Sequence, residues 1–114
     1  MRNAMANTKT YDKLVRDRIP EIIEKSGKSC TFRLLSDAEY IRLLDEKLQE
    51  ELTEYRESGE TEELADLVEV IHAVLQARGR TWEEMEEIRL RKKQERGSFD
   101  KRILLKTVSD KEEP

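Results

Sequence analysis

The sequence predicts an all-α protein, a helical bundle of about four helices per chain built on an antiparallel helical hairpin. Three observations predict it. Charged residues make up 42% of the 114 residues and hydrophobic ones 36%, with six aromatics, the composition of a helical protein with a thin core. Apolar residues through the middle of the chain recur at helical rather than alternating spacing. Start and stop signals bracket those stretches: capping boxes at Ser36–Glu39 and Thr81–Glu84, and glycines at 27, 59, 79 and 97. A chain this short and polar buries enough surface only by association with copies of itself.

Residues 1–10 are polar and aperiodic, and a flexible lead is expected there. Pro20 belongs in the first turn of a helix, not in its middle. The first helix is therefore expected from Asp17 to Lys25, with Ile19, Ile22 and Ile23 on one side and Gly27 as its cap. Ser29–Leu35 reads as extended or as a short strand. The Ser36–Glu39 box starts the second helix at Asp37. Ile41, Leu44, Leu48, Leu52 and Tyr55 form its apolar stripe, and Gly59 stops it after Glu57. Thr61 is the expected N-cap of a third helix running to Arg78. That helix is apolar over most of its circumference and should be buried. Asp66 interrupts the apolar surface, so it should be substantially buried and in need of a partner. The fourth helix follows Thr81 and ends at Arg96. Phe99–Leu105 should be ordered by packing, and residues 106–114 form a loose tail. Residues 11–105 are thus expected to form one domain.

The chemistry concentrates in Glu50–Asp66, which holds eight carboxylates in seventeen residues. Glu51 and Glu54 form one spaced pair, Glu63 and Asp66 another, and residues three apart share a helix face. The pairs are mirror-symmetric about the break at Ser58-Gly59. In an antiparallel hairpin, Glu51 comes level with Asp66 and Glu54 with Glu63. In a chain with 26 acids a single E-x-x-E pair means little and reads as solvated surface. The symmetry, the place of Glu51 beside the apolar stripe and the position of Asp66 on an apolar helix favour a cation site instead. Crowded carboxylates repel one another, and a cation relieves that cost. Their oxygens suit Mg²⁺, with Mn²⁺ as a substitute.

Other classes are excluded or disfavoured. A net charge of −4 argues against nucleic acid as the main partner. No apolar run approaches the roughly 18 residues of a membrane span. The opening MRNAMANTK lacks a signal-peptide core, and the single Cys30 fits a reducing compartment, so a cytoplasmic protein is expected. No G-x-S-x-G, Walker or G-x-G-x-x-G motif offers a nucleophile or a phosphate loop. The basic groups at Lys9–Arg18 and Arg89–Arg102 read as solvated faces on composition alone.

Lys47-Leu-x-Glu50-Glu51-x-x-Glu54 followed by Glu63-Leu-Ala-Asp66 resembles the E-x-x-E…E-x-x-D signature of the all-α nucleotide pyrophosphohydrolases, the MazG-like enzymes and their phosphoribosyl-ATP pyrophosphohydrolase relatives. Lys13-Leu-Val-Arg16-Asp-Arg18-Ile-Pro20-Glu-Ile-Ile is similar to the opening of a MazG-like subgroup. Arg96-Gly97-Ser98-Phe99-Asp-Lys-Arg102-Ile is similar to its closing segment, with Ser98 where a second glycine is common. The resemblance spans about residues 11–105. It implies subunits paired as homodimers or homotetramers, and Mg²⁺-dependent hydrolysis of a nucleoside triphosphate to the monophosphate and pyrophosphate. It further implies a role in removing non-standard nucleotides. Carried over by position, Glu51, Glu54, Glu63 and Asp66 are the metal ligands. Glu50 and Glu51 are the expected catalytic carboxylates, Glu50 as a ligand or as the holder of a water. Arg16, Arg18, Lys93, Arg96 and Arg102 are candidates for phosphate contacts. The rival expectations are hydrolysis of another diphosphate metabolite such as phosphoribosyl-ATP, and a non-catalytic helical dimerisation or binding module.

Overall fold

Ser36 opens the longest helix with both halves of a capping box in place: its side chain accepts from Glu39 N–H, and the Glu39 carboxylate accepts from Ser36 N–H at 3.2 Å. In this computed structural model, which describes residues 7–111, four helices follow in order. They are α1 (Ile19–Lys25), α2 (Asp37–Ser58), α3 (Thr61–Ala77) and α4 (Trp82–Arg96). Among the described residues there is no strand, so the all-α class holds. The segment before α2, expected to be extended or a short strand, carries no regular secondary structure. Of the expected lead and tail, residues 1–6 and 112–114 lie outside the described residues.

The chain divides into two compact units, 1–81 and 82–114. In the first, α1 starts at Ile19 rather than Asp17, because Pro20 occupies the first turn and residues 17–18 make a turn ahead of it. Gly59 ends α2 in the left-handed region at φ 69°, with its N–H donating to Tyr55 O at 2.7 Å. Only Gly59 and Glu60 separate α2 from α3. Thr61 is the first residue of α3 and not its cap. Glu60 stands at the cap position and makes no side-chain cap bond, so the expected Thr61 cap is corrected.

α2 and α3 pack along one another, and among the described residues the buried apolar ones are Leu44 of α2 and Val70 of α3. Asp45 and Arg78 are joined at 3.3 Å, tying α2 to the residue just past α3. The expected burial of α3 all round is corrected too. Leu64 and Val68 are 39% and 41% exposed, because α2 covers one face and leaves the other open.

In the second unit, α4 carries Glu83 and Glu84 in its first turn and Lys93 and Arg96 in its last, the charge order that a helix dipole favours. None of its residues is buried. Phe99, Ile103, Leu104 and Leu105 are all exposed, Phe99 at 95%, so the expected ordering of this segment by packing does not occur within the unit.

Candidate metal centre

Two turns of α2 and the first two turns of α3 build the site. The three-residue spacing on each helix directs its carboxylates to one face, and the packing of the two helices brings those faces together. Ligand oxygens of Glu51, Glu63 and Asp66 all lie within 4.8 Å of one another. Three of the four residues expected as ligands are thus assembled from two helices. Glu54 stands beside them, close enough that its charge raises the pKa of both Glu51 and Glu63.

Glu51 is the unusual member. It is 6% exposed, and its Oε2 is buried with no hydrogen-bond partner among the described residues. A buried, unpaired carboxylate oxygen costs a protein free energy unless something binds it. Burial pushes the Glu51 carboxyl above its ordinary pKa, Glu54 adds to the shift, and Asp66 contributes in the same direction. The cation Lys47, its Nζ 3.7 Å from Glu51 Oε1, pulls the other way without cancelling the rise. Glu63 is half-buried, and its pKa is raised by desolvation first and by Glu54 second.

Asp66 is not substantially buried, as its apolar helix suggested; its side chain is 42% exposed. It has a partner, however. Arg16 Nη2 donates to Asp66 Oδ1 at 2.7 Å. The expectation failed because Asp66 meets Glu51 of α2 and Arg16 of the polar stretch before α1, and not an apolar surface.

Glu50, one residue from Glu51, turns elsewhere. Lys13 Nζ lies 2.5 Å from its Oε1 and Lys47 Nζ 2.8 Å from its Oε2. These two lysines hold the Glu50 carboxyl below its ordinary pKa, and Glu50 in turn raises that of Lys13. Of the basic candidates, Arg16 reaches the cluster, while Arg18 pairs with Glu21 on α1 at 3.4 Å. Lys93, Arg96 and Arg102 are exposed in the second unit, Arg102 with a left-handed backbone at φ 57°. The roles of Lys13 and Lys47 as counter-charges to Glu50 escaped the sequence reading. On α2 the i, i+3 spacing of Lys47 and Glu50 was visible, whereas nothing local announces a pair 37 residues apart.

The donor set suits a hard divalent cation. It offers carboxylates from two helices, and the most buried of them, Glu51, carries an orphaned oxygen. No family model and no solved structure matches the chain. An uncharacterized protein of Mycolicibacterium smegmatis is 58% identical over 43 residues, which are 38% of this chain and 44% of that protein. The similarity therefore spans less than half of either sequence. Among the described residues, no helix is long and apolar enough to cross a membrane.

Proposed function

We propose that the protein is a Mg²⁺-dependent nucleoside triphosphate pyrophosphohydrolase of the MazG-like kind, with α2 and α3 as its antiparallel helical hairpin. The observation that carries this reading is the convergence of Glu51, Glu63 and Asp66, with Glu51 buried and one of its oxygens orphaned. Glu54 completes the proposed ligand set. When bound, Mg²⁺ would neutralise polyphosphate charge and acidify a water.

The chain's own residues divide the remaining work. Glu51, Glu54, Glu63 and Asp66 hold the cation, and their rigid helical placement means that little reorganisation is needed on binding. Glu50 is kept ionised by Lys13 and Lys47, and in this reading it holds a water once one of those lysines yields. Hydrolysis forms a bond from water oxygen to the α-phosphorus and breaks the bond to the bridging oxygen, releasing pyrophosphate and a monophosphate. Arg16, Arg18, Lys93, Arg96 and Arg102 are the proposed phosphate contacts. A homodimer or homotetramer in the cytoplasm completes the reading. The half-exposed apolar face of α3 supports self-association, because one chain leaves it uncovered.

The test is a panel of canonical and modified triphosphates, with phosphoribosyl-ATP included, assayed for pyrophosphate with and without Mg²⁺. Metal-dependent release from one or more triphosphates is expected. Release from phosphoribosyl-ATP alone would move the assignment to that substrate, and no release from any compound would favour a binding module.

A further inference from the structure

The acidic cluster already has a cation against it. Arg16 belongs to the stretch before α1 that carries neither helix nor strand, and its guanidinium sits on Asp66 at 2.7 Å with 58% of the side chain exposed. Three residues earlier, Lys13 is seated on Glu50. Between them Leu14 is half-buried and lines a groove of about 310 Å³ together with Leu43, Glu46 and Lys47 of α2. The stretch is thus held by one apolar side chain and two ion pairs. Of those pairs, only Arg16–Asp66 involves a residue of the three-carboxylate cluster.

A guanidinium and a divalent cation at the same carboxylate repel each other at short range. The exposed ion pair is the weaker of the two contacts and the one that gives way. We infer that Arg16 is a placeholder cation: it holds Asp66 while the cluster lacks an ion and yields Asp66 to a divalent cation. The inference rests on the metal reading proposed above. Once displaced, the Arg16 fork stands at the rim of the site with its donors free, and its planar geometry matches a phosphate. Metal and phosphate binding are then coupled, since each favours the arrangement that the other needs, and the coupling is reciprocal.

The experiment is calorimetric titration of the full chain with Mn²⁺ alone at low salt. Arg16→Gln is expected to bind Mn²⁺ about three- to sixfold more tightly than wild type, the weight of one exposed ion pair removed from competition. Arg18→Gln removes an equal charge two residues away, beside Glu21, and is expected to stay within about twofold of wild type. Equal affinity in Arg16→Gln and wild type overturns the placeholder and leaves the metal site standing. So does an equal tightening in Arg18→Gln, because it would show only a general field effect. Absence of Mn²⁺ binding in all three proteins overturns the metal reading and the placeholder with it.

Discussion

Two neighbouring carboxylates on α2 meet opposite environments. Glu50 and Glu51 are about 100° apart around the helix. Glu50 faces Lys13 and Lys47, both of its oxygens are engaged, and its pKa falls. Glu51 faces α3, is buried with an orphaned oxygen, and its pKa rises. Glu39 belongs with Glu50: Arg33 and the Ser36 cap neutralise it fully. Glu63 belongs with Glu51, being partly desolvated beside another acid. A protein selected for stability alone would pair its most buried acid first. This one doubly pairs Glu50 and leaves Glu51 with one long lysine contact and an orphaned oxygen, which is the pattern expected where an external cation completes the site.

The largest effects should come from the uncompensated side. Glu51→Gln is expected to lower pyrophosphate release about 100-fold or more, the scale at which one preorganised charged contact acts. Full activity in this variant would remove Glu51 from the site. Metal removal should reproduce the contrast in a stability measurement. A divalent ion at about 100 times its Kd stabilises the folded state by about 2.7 kcal/mol. Wild type should therefore melt higher with Mg²⁺ than with chelator, and Glu51→Gln should show little such difference.

A smaller effect distinguishes the neighbours by sign. Without metal, Glu51→Gln is expected to stabilise the protein by about 1 kcal/mol, because it removes a buried charge crowded by Glu54 and Asp66. Glu50→Gln is expected to destabilise it by about 0.5–1 kcal/mol, because it breaks two ion pairs at the rim. Chemical denaturation of both variants in chelator measures the two signs. Equal signs would mean that the environments of Glu50 and Glu51 do not differ in the way described.

How much of this was legible beforehand follows the range of each interaction. The limits of α2 and the Ser36–Glu39 box depend on residues within one turn, and the structure has them where the pattern does. The convergence of Glu51, Glu63 and Asp66 was legible because two short spacings and one break determine it once the helices pack together. Thr61 was misread as a cap because Glu60 and Thr61 both suit the start of a helix, and no local term separates them. The exposure of Asp66 and its pairing with Arg16 rest on a contact across 50 residues, made by a stretch with no periodicity to read. Phe99, Ile103, Leu104 and Leu105 looked set to pack because hydrophobicity marks a need for cover without saying where the cover comes from.

The smallest expected effect tests the compensated side by pH. The Arg33 guanidinium, with the Ser36 N–H and hydroxyl, holds Glu39 down at about 2 in the folded protein. In the unfolded chain a glutamate titrates near about 4.3. The folded pKa is the lower of the two, so the folded state binds fewer protons than the unfolded one between those values. Stability from Glu39 is therefore fully present above about pH 4.3 and is lost as pH falls toward 2. Glu39→Gln removes the carboxylate at every pH. The stability gap between wild type and Glu39→Gln should be constant from about pH 7 to 5 and then shrink steadily as pH falls to 3. Denaturant titrations at stepped pH measure that gap. A gap that stays constant down to pH 3 would mean that Glu39 acts through the shape of its side chain at the start of α2 and not through its charge. The charge pairing attributed to the compensated face would then fail at the residue where Arg33 and the helix cap act together.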